Sequence, residues 1–112
     1  MSERPPFEYA GPPEREAVLA EALRRVVDPE MALNIVDLGL VYRVEASEGF
    51  VKVDLTMTSA ACPVAELIMD NVHEELTDLL GTQAKIECEL VWDPPWSPQM
   101  MSRRARMAMG WD

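Results

Sequence analysis

Apolar positions fall into two periods along the chain, one near 3.6 and one of 2, and the switches between them mark out its elements. Ala17, Val18, Ala20, Leu23, Val26 and Val27 recur at helical spacing behind Pro13 and the acids Glu14 and Glu16, which predicts a helix over 13–27. Pro29 disfavours helical geometry at Asp28, so "DPE" should end it. Past Gly39, Leu40, Tyr42 and Val44 alternate with Val41, Arg43 and Glu45, predicting a strand over 40–46. Glu48 and Gly49 form a turn signal, and Val51, Val53 and Leu55 continue the period of 2, so a hairpin is expected. Val64, Leu67, Ile68, Val72, Leu76, Leu79 and Leu80 then line one face of a long helix closed by Gly81. Ala84, Ile86, Cys88 and Leu90 alternate with charged residues as a third strand. "DPPWSP" has three prolines in six residues and cannot be regular, while "QMMSRRARMAMGW" reads as a short amphipathic helix. The order α-β-β-α-β-α predicts an α+β domain, a small sheet with helices packed against it.

Residues 1–13 carry four prolines and few apolar anchors, which reads as a flexible arm with Phe7 and Tyr9 as docking points; residues 14–112 form a single domain. At 112 residues such a domain buries roughly two thirds of its unfolded surface. The formal net charge of -10 opposes binding to a phosphate backbone, so nucleic acid is not an expected partner. No apolar run is long enough to span a bilayer, and the charged, proline-rich start lacks the apolar core of a secretory signal, so a cytoplasmic protein without membrane partners is expected.

Two cysteines with 25 residues between them fit no CxxC pair, zinc knuckle or disulfide scaffold. Cys88 lies on the inward side of its strand. Cys62 lies in "TSAACPVAEL", where Pro63 at the first helical position would make it the helix N-cap. Amides and the dipole at a helix N-terminus favour thiolate over thiol, and a thiolate can ligate a soft metal; otherwise Cys62 fills a small pocket under its loop. Thr56 and Thr58 fall on one side of the strand leading to it, placed to bond loop amides or a ligand, or simply to cap the strand end. Asp28, Glu30 and Asp37 are acids in the loop between the first helix and first strand, solvated or turn-forming unless they join a site. His73 reads as a surface residue. Trp92 and Trp96 cover the end of the core or form an aromatic lip toward a partner; Trp92, ending the strand, is expected to matter more to folding. With no HExxH, glycine-rich phosphate loop or Ser/His/Asp set, and no resolving cysteine or convincing base beside Cys62, no enzyme is expected.

Three blocks, "VVDPEMALNIVDLGLVY", "VDLTMTSAACPVAELI" and "WDPPWSPQMMSRRAR", resemble the signature blocks of the SufT-like or PaaD-like metal-sulfur cluster biosynthesis proteins, over about residues 17–110. A cysteine-rich C-terminal extension typical of PaaD-type relatives is absent here, which favours the SufT-like branch. The resemblance implies an iron-sulfur cluster assembly domain that helps mature client proteins. By position it carries the family's acidic motif to Asp28 and Glu30, its "VDLGL" turn to residues 36–40 with Asp37, its reactive cysteine to Cys62 preceded by Thr56 and Thr58, and its "DPPW" loop to residues 93–96 ending in Trp96. A cluster needs about four protein ligands and one chain offers one exposed cysteine, so the expected cofactor is a labile iron-sulfur cluster shared between protomers of a homodimer or with a partner. Expected partners are the assembly machinery and client apoproteins. The alternative is an adaptor that binds no metal and recruits clients.

Overall fold

Val51, Val53 and Leu55 are buried on one side of a strand whose other side carries Phe50, Lys52 and Asp54, and this alternation sets the architecture of the domain. The computed structural model describes residues 7–58 and 64–110. Strands β4 (Val41–Ser47) and β5 (Phe50–Leu55) pair antiparallel around the turn at Gly49, whose φ of 72° suits glycine. Helix α2 (Ala65–Leu80) carries the chain to β6 (Lys85–Leu90), which pairs parallel with β5 and so requires such a crossover. On the other side, β1 (Glu8–Ala10) pairs parallel with β4 and connects to it through α1 (Pro13–Leu23), giving the sheet order β1-β4-β5-β6. Leu19 and Leu23 of α1 and Ile68, Val72 and Leu76 of α2 join Val44, Val51, Val53 and Leu55 in one core.

The opposite face of the sheet is polar. Arg43 pairs with Glu8 and Glu45, Lys52 with Glu89 and Lys85 with Glu87, at separations of 3.0 to 3.6 Å. These half-exposed pairs contribute little stability each, but they cancel like-charge repulsion across an acidic chain.

Several expectations need correction. The arm is structured from Phe7, which is buried, through β1, and Tyr9 donates to the Pro12 carbonyl at 2.6 Å. The first helix ends at Leu23 rather than Val27. Arg25 and Val26 amides bond back three residues in a tightened turn, and the Val26 carbonyl accepts from Ile35, so Val27 and Asp28 form a two-residue strand, β2, against β3 (Leu33–Asn34). The long helix, Ala65–Leu80, has Val64 at its N-cap position; Cys62 and Pro63, the expected cap and first residue, lie outside the described residues. The final helix is shorter than its apolar pattern: a 3₁₀ turn at Pro98–Met100 and an extended, buried Met101 precede α3 (Arg103–Ala108). Ser102 caps α3, its hydroxyl accepting from the Ala105 amide at 3.1 Å.

Candidate functional site

The turn at residues 35–40 ties the candidate segments together. The Leu38 amide bonds the Asn34 carbonyl and the Leu40 amide the Ile35 carbonyl, closing a tight reversal that leaves neighbouring carbonyls free to accept from other segments. The Leu40 carbonyl accepts from the Thr56 amide at 2.8 Å, the Leu38 carbonyl from Trp96 Nε1 at 2.7 Å and the Asp37 carbonyl from the Ser102 amide at 2.7 Å. At the centre stands Gly39, with φ of 79°; a Cβ there would overlap the Met100 carbonyl, its carbonyl carbon lying 2.7 Å from the added atom. Close backbone approach and positive φ therefore both require glycine.

Asp37 and Asp28 shape their own turns. Asn34 Nδ2 donates to Asp37 Oδ2 at 2.9 Å while the Asp37 amide donates to Asn34 Oδ1 at 2.8 Å, a reciprocal pair that satisfies a buried carboxylate. Asp28, only 2% exposed, accepts from the Glu30 amide at 2.8 Å and more weakly from the Met31 amide at 3.4 Å, the pattern of an Asx turn. Glu30 is exposed on that turn. Strand β5 ends at Leu55, so Thr56 and Thr58 lie just past it: Thr56 is fully buried and Thr58 half-buried. Cys62 lies outside the described residues.

Trp96 and Trp92 exchange the roles expected of them. Trp96 is partly buried against the core and bonded to Leu38, whereas Trp92, though it follows the strand, is 45% exposed. The chain leaves β6 with Trp92 exposed and passes through the proline loop before Trp96 reaches the 35–40 turn. The alternation of β6 does not reveal this, because it ends before the loop.

Sequence reasoning missed Tyr42. The register of β4 against β5 shifts between Val41 and Arg43, and Tyr42 is the extra residue of that bulge. Its hydroxyl donates to the Pro94 carbonyl at 2.7 Å and lies 3.4 Å from Met100 Sδ, linking the sheet to the proline loop. Burial pushes the phenol pKa up, the neighbouring Thr56 hydroxyl works against this, and the Asp93 carboxylate adds to the rise. Thr56 Oγ1 is buried beside that hydroxyl and makes no hydrogen bond of ordinary geometry. A β-bulge has no signature in an alternation of single residues, so Tyr42 could not be singled out. Ser102 ahead of "RRAR" is a cap signal that the apolar pattern of the segment obscured.

Cys88 packs against the core as its alternation predicts, with Sγ 3.9 Å from the Met69 carbonyl. Burial, with a smaller contribution from Asp70, pushes its thiol pKa up to about 11, so it stays protonated near neutrality. Among the described residues no three His, Cys, Asp or Glu side chains converge as a metal site.

A family model described as iron-sulfur cluster assembly protein matches residues 15–88. The chain belongs to this family. It is 46% identical over 90 residues to the Fe-S protein maturation auxiliary factor YitW of Bacillus subtilis, an alignment spanning 80% of this chain and 87% of that one. It is 45% identical over 86 residues to the Fe-S protein maturation auxiliary factor SufT of Staphylococcus aureus, spanning 76% and 97%. The crystal structure of a domain of unknown function, DUF59, from Bacillus anthracis superposes with a TM-score of 0.80 at 41% identity, covering 86% of this chain and 92% of that one. The α+β expectation and the resemblance to the SufT-like proteins are therefore borne out.

Proposed function

We propose that this member of the iron-sulfur cluster assembly family helps mature client iron-sulfur proteins, and that it handles the cluster as cargo through Cys62. The observation that carries this reading is the placement of Cys88: part-buried against the core, with Sγ 3.9 Å from the Met69 carbonyl and its pKa raised to about 11, it is the less available of the two cysteines, which leaves Cys62 as the candidate ligand. A cluster generally takes four protein ligands, and one thiolate per chain leaves the rest to a second copy, a small thiol or the client. Incomplete ligation suits release better than storage. The names of the similar proteins, Fe-S protein maturation auxiliary factors, support a role of this kind; in this proposal the chain acts without catalysis, in the cytoplasm, with assembly machinery and client apoproteins as partners.

Asp28, Glu30, Asp37, Thr56, Thr58 and Trp96 support the loop in this proposal. Residues 35–40 fix the strand end from which the loop departs, because the Thr56 amide is bonded to Leu40. Thr56 Oγ1, buried and without a partner, is a spare polar atom at the loop's origin. Among the described residues no helix is long and apolar enough to cross a membrane.

The test is complementation of cells lacking this chain, reading the activity of an iron-sulfur client enzyme. Cys62→Ala should fail to restore it while Cys88→Ala succeeds. Full restoration by Cys62→Ala would favour the adaptor that recruits clients without holding metal.

A further inference from the structure

Helix α3 breaks a charge rule that the other two helices keep. Acids occupy the first turns of α1, at Glu14 and Glu16, and of α2, at Glu66, where the positive end of the helix dipole favours them. The first turn of α3 carries Arg103 and Arg104 instead, and no acid. From Pro94 to Gly110 the chain holds three arginines and no Asp or Glu, although its acids outnumber its basic residues 20 to 10 overall. Other cations have partners: Arg25, Arg43, Lys52 and Lys85 are ion-paired, and Arg15 bonds the Ser47 carbonyl. Arg24, without one, sits at the C-cap of α1, the end that favours a cation. Arg103 and Arg104 are exposed and form no ion pair among the described residues.

A local rule broken with no compensating contact inside the chain points to a contact outside it. Ser102 already caps α3 by accepting from the Ala105 amide, so side chains rather than amides make this surface. Ala105 is buried and Met109 packs against the core, which turns Arg103, Arg104 and Met107 outward. Met107 is 60% exposed and lies one turn beyond Arg103, so an apolar contact adjoins the two guanidinium groups. A guanidinium fork matches a carboxylate or a phosphate, and the methionine decides between them, since inorganic phosphate offers it nothing. An extended polyanion would also meet Glu8, Asp54 and Asp93, which line a cleft that Arg106 borders, within a chain of formal net charge -10. We propose that the outer face of α3 docks a short acidic segment of a partner protein, Arg103 and Arg104 taking its carboxylates and Met107 an apolar side chain between them. This contact needs no cluster and stands independently of Cys62.

The experiment is a titration of the full-length, ¹⁵N-labelled protein, read by amide chemical shifts. Its probes are an acetylated, amidated hexapeptide that repeats Glu-Glu-Leu twice, the same peptide with lysine for glutamate, inorganic phosphate, and vesicles of phosphatidylglycerol. The acidic peptide should give saturable shifts at Arg103, Arg104 and Met107 and none at Val51 or Val53, and about 0.5 M salt should weaken it several-fold. The double variant Arg103→Gln, Arg104→Gln should bind it about ten-fold more weakly, while Arg24→Gln binds unchanged. Because the double variant removes cations from the positive end of α3, it should melt no lower than wild type, which separates lost binding from lost folding. Absence of saturable shifts on α3, equal binding of the lysine peptide, or unchanged affinity in the double variant would overturn the proposal. Tighter binding of phosphate or of the vesicles would overturn the assignment to a protein segment.

Discussion

Replacing Gly39 by alanine should cost far more than its one methyl group suggests. At φ of 79° an L-residue loses about 1 kcal/mol relative to glycine. The new Cβ would also overlap the backbone of Met100, which cannot rotate away as a side chain could, and such overpacking costs roughly 1 to 3 kcal/mol. The expected loss is therefore about 3 kcal/mol. Gly49 provides the control: its φ is 72°, yet nothing lies within 4 Å of an added Cβ, so Gly49→Ala should cost only about 1 kcal/mol. Urea unfolding followed by circular dichroism and tryptophan fluorescence would measure both, with comparable m values required for the comparison. Because Met100 must retreat, the Trp96 to Leu38 hydrogen bond should loosen, and native Gly39→Ala should show red-shifted emission. Equal losses for the two variants, or a difference under about 0.5 kcal/mol, would refute the claim that close backbone packing organises this turn.

Three further outcomes follow from the same contacts. Trp96→Phe should lose about 1 kcal/mol with the hydrogen bond to Leu38, and Trp96→Ala more, whereas Trp92→Ala should stay near neutral; thermal and urea melts that rank Trp92 first would contradict the observed packing. Asp28→Asn should be almost neutral, because an amide oxygen can still accept from Glu30, while Asp28→Ala should lose about 1 to 2 kcal/mol in the same melts. Cys88→Ala should lose about 1 kcal/mol through packing. The Cys88 thiol pKa is raised on folding, so the unfolded chain releases this proton first: its stabilisation is complete below the unfolded value near 8.5 and fades as pH rises toward about 11. The stability advantage of wild type over Cys88→Ala should therefore stay constant through neutral pH and shrink steadily as pH rises above the unfolded thiol value.

The parts of the fold that repeat a period were readable in the sequence. Val51, Val53 and Leu55, and the stripe from Ile68 to Leu76, are buried as their spacing predicts, because a sheet face and a helix face each need several regularly spaced apolar residues. Short elements escape this logic. Two-residue β2 is held by β3 just across one turn and three-residue β1 by the distant β4, so Val26 and Val27 extended the helical pattern while hydrogen bonds from outside the helix ended it at Leu23. The site was legible as a set of segments rather than as contacts. "VDLGL" announced a turn, but only the folded chain brings Trp96, Thr56 and Ser102 to its carbonyls. Tyr42 depended on a bulge and Trp96 on a hydrogen bond to Leu38 far back in the chain, neither of which a period can encode.

The central claim is that Cys62 alone of the two cysteines binds a cluster, and binds it incompletely within one chain. Anaerobic reconstitution of wild type, Cys62→Ala and Cys88→Ala with ferrous iron and sulfide, read by visible absorption and by sizing, tests it directly. The account predicts uptake by wild type and Cys88→Ala at about one cluster per two chains, readily stripped by a chelator, and no uptake by Cys62→Ala. A chelator-resistant cluster in a monomer, or equal uptake by folded Cys62→Ala, would contradict it.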